Sequence, residues 1–154
     1  MRFTLCTNLN LPADRAWNHF DRDLLMALSP PGATLLVHRY EGQQQGDSIE
    51  IEVRFWGGLV RQYWKTAITL SRCRCFVDES EYPPAPLKTW RHVHAILPAG
   101  PNSCKIVDRI EFKTGSGLLD VLFFLPMYLL FSLRGPQYRS YFGKIVKKGS
   151  LKAS

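Results

Sequence analysis

The chain has 154 residues, 45% of them apolar, 12% aromatic and 21% charged, and a formal net charge of +7. That size and apolar share suit one hydrophobic core, leave no obvious room for a second, and argue against wholesale disorder. The positive balance favours acidic partners such as anionic lipid surfaces, nucleic acid or carboxylate ligands, without choosing among them.

In chain order, Phe3 to Asn8 has the composition of a strand, and Pro12 then opens a helix whose apolar stripe is Ala13, Ala16, Trp17, Phe20 and Leu24. Pro30-Pro31-Gly32 ends helical structure, and a meander of extended segments begins at Thr34. Ile49, Ile51, Val53 and Phe55 alternate with Glu50, Glu52 and Arg54, the signature of a strand with one buried face. Gly57-Gly58 predicts a two-residue hairpin into a strand over 59–70, with Trp64, Thr66, Ile68 and Leu70 on one face and Trp56 exposed at the tip. Further strands are expected over 74–79, 87–97 and 104–113.

After Gly115-Ser116-Gly117, the segment Leu118 to Phe131 is almost wholly apolar but shorter than the roughly 20 residues of a membrane span, and it contains Asp120 and Pro126. A buried helix packed on the sheet is the expectation. Gly135-Pro136 should interrupt it, before Tyr138, Tyr141, Phe142, Ile145 and Val146 recur at helical spacing. The organisation expected is one domain over 1–148 and a basic tail over 149–154.

Cys6, Cys73, Cys75 and Cys104 form no recognised metal or redox pattern, so reduced thiols are expected. Met1 to Leu5 leads into polar residues without the long apolar stretch of a secretory signal, and a cytoplasmic protein is expected.

The segments Trp90 to Ile96 and Ile106 to Phe112 carry the functional signal. At period two, Trp90, His92, His94 and Ile96 share one face, and Ile106, Asp108, Ile110 and Phe112 another. Two histidines and an aspartate among apolar side chains point to a cavity lining, because buried polar groups without partners are costly. The cluster has three readings: a network pinning neighbouring strands, a polar floor that orients a ligand, or an acid–base pair in which Asp108 fixes a histidine tautomer. His-x-His with a carboxylate also imitates a two-histidine, one-carboxylate metal site, but no fourth ligand is evident and no metal is expected. No cofactor fingerprint, phosphate loop or strong nucleophile motif is present.

Ala27-Leu28-Ser29-Pro30-Pro31, Phe76-Val77-Asp78-Glu79, Trp90-Arg91-His92-Val93-His94, Asp108-Arg109-Ile110-Glu111-Phe112 and Tyr138-Arg139, in this order and spacing, resemble the START-like superfamily. The likeness is to its SRPBCC, polyketide cyclase/dehydrase-like group. The resemblance implies an α+β helix-grip fold: a curved antiparallel sheet of six to seven strands wrapped around a long C-terminal helix, with two short helices after the first strand. It also implies an apolar cavity between sheet and helix.

A hydrophobic or amphipathic small-molecule ligand, a lipid, polyketide or isoprenoid-like compound, is therefore the expected partner. Phe55, Trp64, Trp90, His92, His94, Asp108, Phe112 and Phe124 are the candidate binding residues. A cyclase or dehydratase using His92, His94 and Asp108 is the alternative, and a membrane-surface or protein-interaction adaptor a third reading. Arg134, Arg139, Lys144, Lys147, Lys148 and Lys152 follow with no acidic residue among them, so the C-terminal helix is a candidate for peripheral contact with an anionic membrane. Nucleic acid is not expected, because no basic groove interleaved with aromatics accompanies the charge.

Overall fold

The computed structural model describes residues 1–80 and 82–151, the last four by backbone alone. Strand β1 (Arg2–Leu9) is followed by two short helices, α1 (Ala13–Trp17) and α2 (Arg22–Ala27). Six strands then run in succession: β2 (Ala33–Tyr40), β3 (Ser48–Phe55), β4 (Val60–Arg72), β5 (Cys75–Ser80), β6 (Thr89–Gly100) and β7 (Ser103–Lys113). Helices α3 (Gly117–Ser132) and α4 (Arg134–Leu151) complete the chain. The seven strands form one antiparallel sheet in the order β1-β7-β6-β5-β4-β3-β2, so the first strand closes onto the last and becomes an edge. This is the helix-grip arrangement.

The helix expected from Pro12 divides in two because Asp21 caps the second half, its side chain accepting from the Leu24 amide at 3.0 Å. The β3–β4 connection is longer than the two glycines suggest. Phe55 pairs with Val60, leaving a four-residue turn in which Trp56, Gly57 and Gly58 all take positive φ, so Trp56 and Leu59 cannot extend the ladder. β6 continues through Pro98 to Gly100, with a register shift over the stretch expected to be loop.

Two apolar clusters fill the concave side. One joins Leu9, Ala16, Phe20, Ile68, Phe76, Ile96 and Ile106 to Tyr138 and Phe142 of α4. The other joins Phe3, Leu87, Trp90, Ile110 and Phe112 to Phe131 of α3. His92, His94 and Asp108 lie between them along β6 and β7.

The C-terminal helical segment is continuous through Pro126 and breaks at Leu133, so Pro136 falls in the first turn of α4, where a missing amide is tolerated. Of the basic tail expected over 149–154, residues 149–151 continue the α4 backbone and residues 152–154 lie outside the described residues. The largest departure concerns α3. Only Phe131 on it is fully buried, while Leu118, Leu122, Leu125 and Leu129 face outward. The reason is position: α3 rests on the edge strand β1, where Phe3 meets Phe124, Tyr128 and Phe131 edge-on, and on α4. An edge strand covers one stripe of a helix, and a helix that is apolar all round needs more.

Candidate ligand-binding site

Strands β5, β6 and β7 lie side by side, and alternation turns Phe76, Asp78 and Ser80, then Trp90, His92 and His94, then Ile106, Asp108 and Ile110 to the concave face. His92 stands opposite Asp78 on β5 and Ile110 on β7; His94 stands opposite Phe76 and Asp108. The short contacts run along the diagonals. His92 Nε2 lies 3.0 Å from Asp108 Oδ1, and His94 Nε2 lies 2.9 Å from Asp78 Oδ2. The directly opposed contacts are longer, 3.8 Å from His92 Nδ1 to Asp78 Oδ2 and 3.4 Å from His94 Nδ1 to Asp108 Oδ1. The imidazole centroids are 3.7 Å apart.

Three aromatic residues hold this square in place. The Trp90 indole donates to Asp78 Oδ1 at 3.1 Å, and the Tyr138 hydroxyl of α4 lies 3.4 Å from Asp108 Oδ1. Phe76 stacks on His94 with centroids 4.3 Å apart. His92 and Asp108 are each 3% exposed, so their interactions are weakly screened.

Burial disfavours the charged forms of both histidines, but their surroundings divide them. For His92 burial dominates, the neighbouring His94 adds repulsion, and the pKa is pushed down to about 4 despite its carboxylate contacts. For His94 the carboxylates Asp108 and Asp78 outweigh burial and raise the pKa. Burial also opposes ionisation of the two aspartates, yet hydrogen bonds and the nearby imidazoles hold both below the usual carboxylate range. These directions favour two carboxylates, an imidazolium at His94 and a neutral imidazole at His92, a combination with a net buried charge of −1. Neutral His92 carries its proton on Nε2, facing Asp108, which leaves the Nδ1 lone pair free. His94 Nδ1 is buried without a hydrogen-bond partner among the described residues; its 3.4 Å approach to Asp108 acts as charge attraction.

A cavity of about 190 Å³ lies above the cluster. The structure places Phe55, Trp64, Trp90, His92 and His94 on its wall, with Asp78 and Tyr138, two residues that sequence reasoning had not assigned to the site. Asp108 sits behind the wall, bonded to His92. Phe112 and Phe124 lie outside it: Phe112 is buried with Leu87 and Trp90, and Phe124 packs against Phe3 and Tyr128. Asp78 was in phase with Phe76 on its strand, so the same alternation that selects His92 could have found it. Tyr138 reads as one more apolar position of a helix until α4 is set over β7.

Asp78, His92 and His94 each offer one ligand atom, all within 4.8 Å of one another, so the three-residue metal set centres on Asp78 rather than Asp108. Metal there would have to displace the proton that the two carboxylates favour on His94.

No model of a known protein family matches the sequence, and neither does any curated protein. Solved structures do. A protein from Nitrosomonas europaea superposes with a TM-score of 0.72 at 12% identity, covering 96% of this chain and 97% of its own. The Zhui aromatase/cyclase from Streptomyces sp. R1128 gives 0.59 at 15% identity, covering 76% of this chain and 70% of that one. Norcoclaurine synthase from Thalictrum flavum gives 0.54 at 18%, covering 73% and 68%. At these identities the likeness establishes the fold alone, the helix grip.

Proposed function

We propose that this protein binds a compact amphipathic organic molecule, with its apolar body between sheet and helices and its polar end on Asp78, His92 and His94. The observation that carries this reading is the distribution of polarity: an otherwise largely apolar wall brings Asp78, His92 and His94 together where β5 and β6 meet, with Asp21 and Arg134 as the other charged residues on it. His94 supplies a cationic donor for a carbonyl or carboxylate, and Asp78 an acceptor for a hydroxyl. Size limits the ligand. A dry cavity of about 150 Å³ accepts benzene, so 190 Å³ suits a ring or a short chain better than a complete membrane lipid. Native mass spectrometry of the purified protein, followed by organic extraction, tests the reading. A stoichiometric small molecule that His94→Gln releases and Trp56→Ser retains is the expected result; a ligand equally retained by an Ile51→Trp variant, which fills the cavity, would refute it.

A second reading has its own support. Two adjacent histidines with oppositely shifted pKa values form an acid–base pair. His92 Nδ1 would take a proton from carbon next to a carbonyl, and His94 would give one to a departing hydroxyl, releasing water, as in a cyclase or dehydratase. The fold is shared with an aromatase/cyclase. Turnover of an aromatic-ring precursor that is lost in both His92→Ala and His94→Ala, with unfolding still cooperative, would favour catalysis over binding.

A further inference from the structure

Helix α3 presents a surface that the cavity does not explain. Leu118, Leu122, Leu125, Leu129 and Leu133 recur every three or four residues, so they form one stripe along about 24 Å of helix, with Val121 beside it. Leu118 is 80% exposed, Leu122 63% and Leu125 59%. A continuous apolar face of this kind marks an interaction site. Its only ionised side chain, Asp120, is turned back to bond the Thr114 amide and hydroxyl at the helix N-terminus.

The flanks identify the occupant. Lys113 precedes the helix; Arg134, which follows it, packs its guanidinium over the Phe131 ring at the cavity, so the cationic flank comes from Lys113 and the rest of α4, and from Val121 to the last residue there are six lysines and arginines and no acidic residue. A second apolar protrusion, the β3–β4 turn, exposes Trp56 (74%) and Leu59 beside Arg61, whose guanidinium donates to the Gly58 carbonyl. Apolar faces bordered by basic residues, with a tryptophan at a turn, match the interface of an anionic bilayer: acyl chains take the leucines, and headgroups meet the cations. A second copy of this chain fits less well. Two chains of +7 repel, and a 16-residue helix supplies about two heptads where a coiled coil needs about three or four.

By length and composition Gly117–Lys147 would suffice to span a membrane. In the folded domain, however, Phe131 and Phe124 are committed to Phe3, and α4 carries the charges. A helix lying in the interface keeps these contacts; a spanning one would break them. We infer that α3 docks this protein on an anionic membrane surface, with the leucine stripe entering the lipid. The inference is independent of what the cavity holds, although Met127 and Leu130, on the other side of the same helix, line that cavity.

The test is flotation of the full chain with phosphatidylcholine vesicles containing or lacking phosphatidylglycerol. The parent is expected to float with the anionic vesicles and to detach as salt rises. Leu122→Glu/Leu125→Glu should lower its partition at least about tenfold. Both positions are exposed, so the variant's thermal unfolding should match the parent's and show that the fold is intact. Three results would each overturn the inference: no vesicle association by the parent, association unaffected by the double substitution, or a parent dimer that this substitution dissociates, which would assign the face to a second copy.

Discussion

Replacing His94 by Gln removes the only cation from a buried square that also holds two carboxylates. The amide can still hydrogen-bond Asp78, now 2.9 Å from His94 Nε2, so shape and one bond are largely kept while the buried charge changes from −1 to −2. Removing one partner of a buried ion pair costs about 3–5 kcal/mol. For a chain of this size each kcal/mol shifts Tm by roughly 2–4 °C, so the expected fall is roughly 6–20 °C near neutral pH. The loss has a pH signature that simple loss of packing lacks. Burial is the larger cause of the low His92 pKa and repulsion from His94 the next, so removing His94 raises the pKa of His92 towards its ordinary value, and the deficit shrinks as the pH falls from about 6.5 towards 4. Thermal melts followed by circular dichroism across that range measure both effects. A change below about 2 °C, or a deficit independent of pH, would refute the assignment of His94 as the charge-balancing group. In a double-mutant cycle, His94→Gln with Asp108→Asn should lose less than the sum of the single changes, with a coupling of about 0.5–3 kcal/mol.

The parent should have a stability maximum near pH 6.5. Below that pH the unfolded state protonates His92 while the folded state resists until about pH 4, so stability falls with acid. Above it, His94 keeps its proton only in the folded state, and the stabilisation is lost as pH rises through its elevated pKa. Denaturant titrations at stepped pH check the shape, and a monotonic profile from about pH 5 to 8 would contradict it. Phe131→Ala should cost about 3–5 kcal/mol, because this ring joins Phe3, Trp90 and His92; urea denaturation measures it, and a loss under about 1 kcal/mol would disprove the packing argument. Gly58→Ala, at φ 99°, should cost about 1–2 kcal/mol by the same assay without altering the cavity, whereas no loss would mean that the turn relaxes. In native protein, a thiol reagent should modify exposed Cys6 and Cys73 quickly and the fully buried Cys104 last; rapid labelling of Cys104 would contradict its packing.

Alternation was enough to place Trp90, His92, His94, Ile96, Ile106, Asp108, Ile110 and Phe112 on inward faces, because a strand has a period of two and every residue's side follows from one. The order of strands and helices was legible for the same reason, together with the proline and glycine punctuation at Pro30-Pro31-Gly32. Which carboxylate serves which histidine was not. His92 bonds Asp108 and His94 bonds Asp78 along diagonals set by the registers of two ladders, and Asp78 enters only because β5 is the other neighbour of β6. Periodicity assigns a side chain to a face but says nothing of the strand across from it. The same limit explains Phe112 and Phe124, inward or apolar yet outside the cavity wall, and α3, whose apolar sequence suggested burial. A helix that is hydrophobic all round carries no internal record of which side is covered. Placement on the edge strand β1, decided by the closure of β1 onto β7, covers one stripe and leaves the leucines outside.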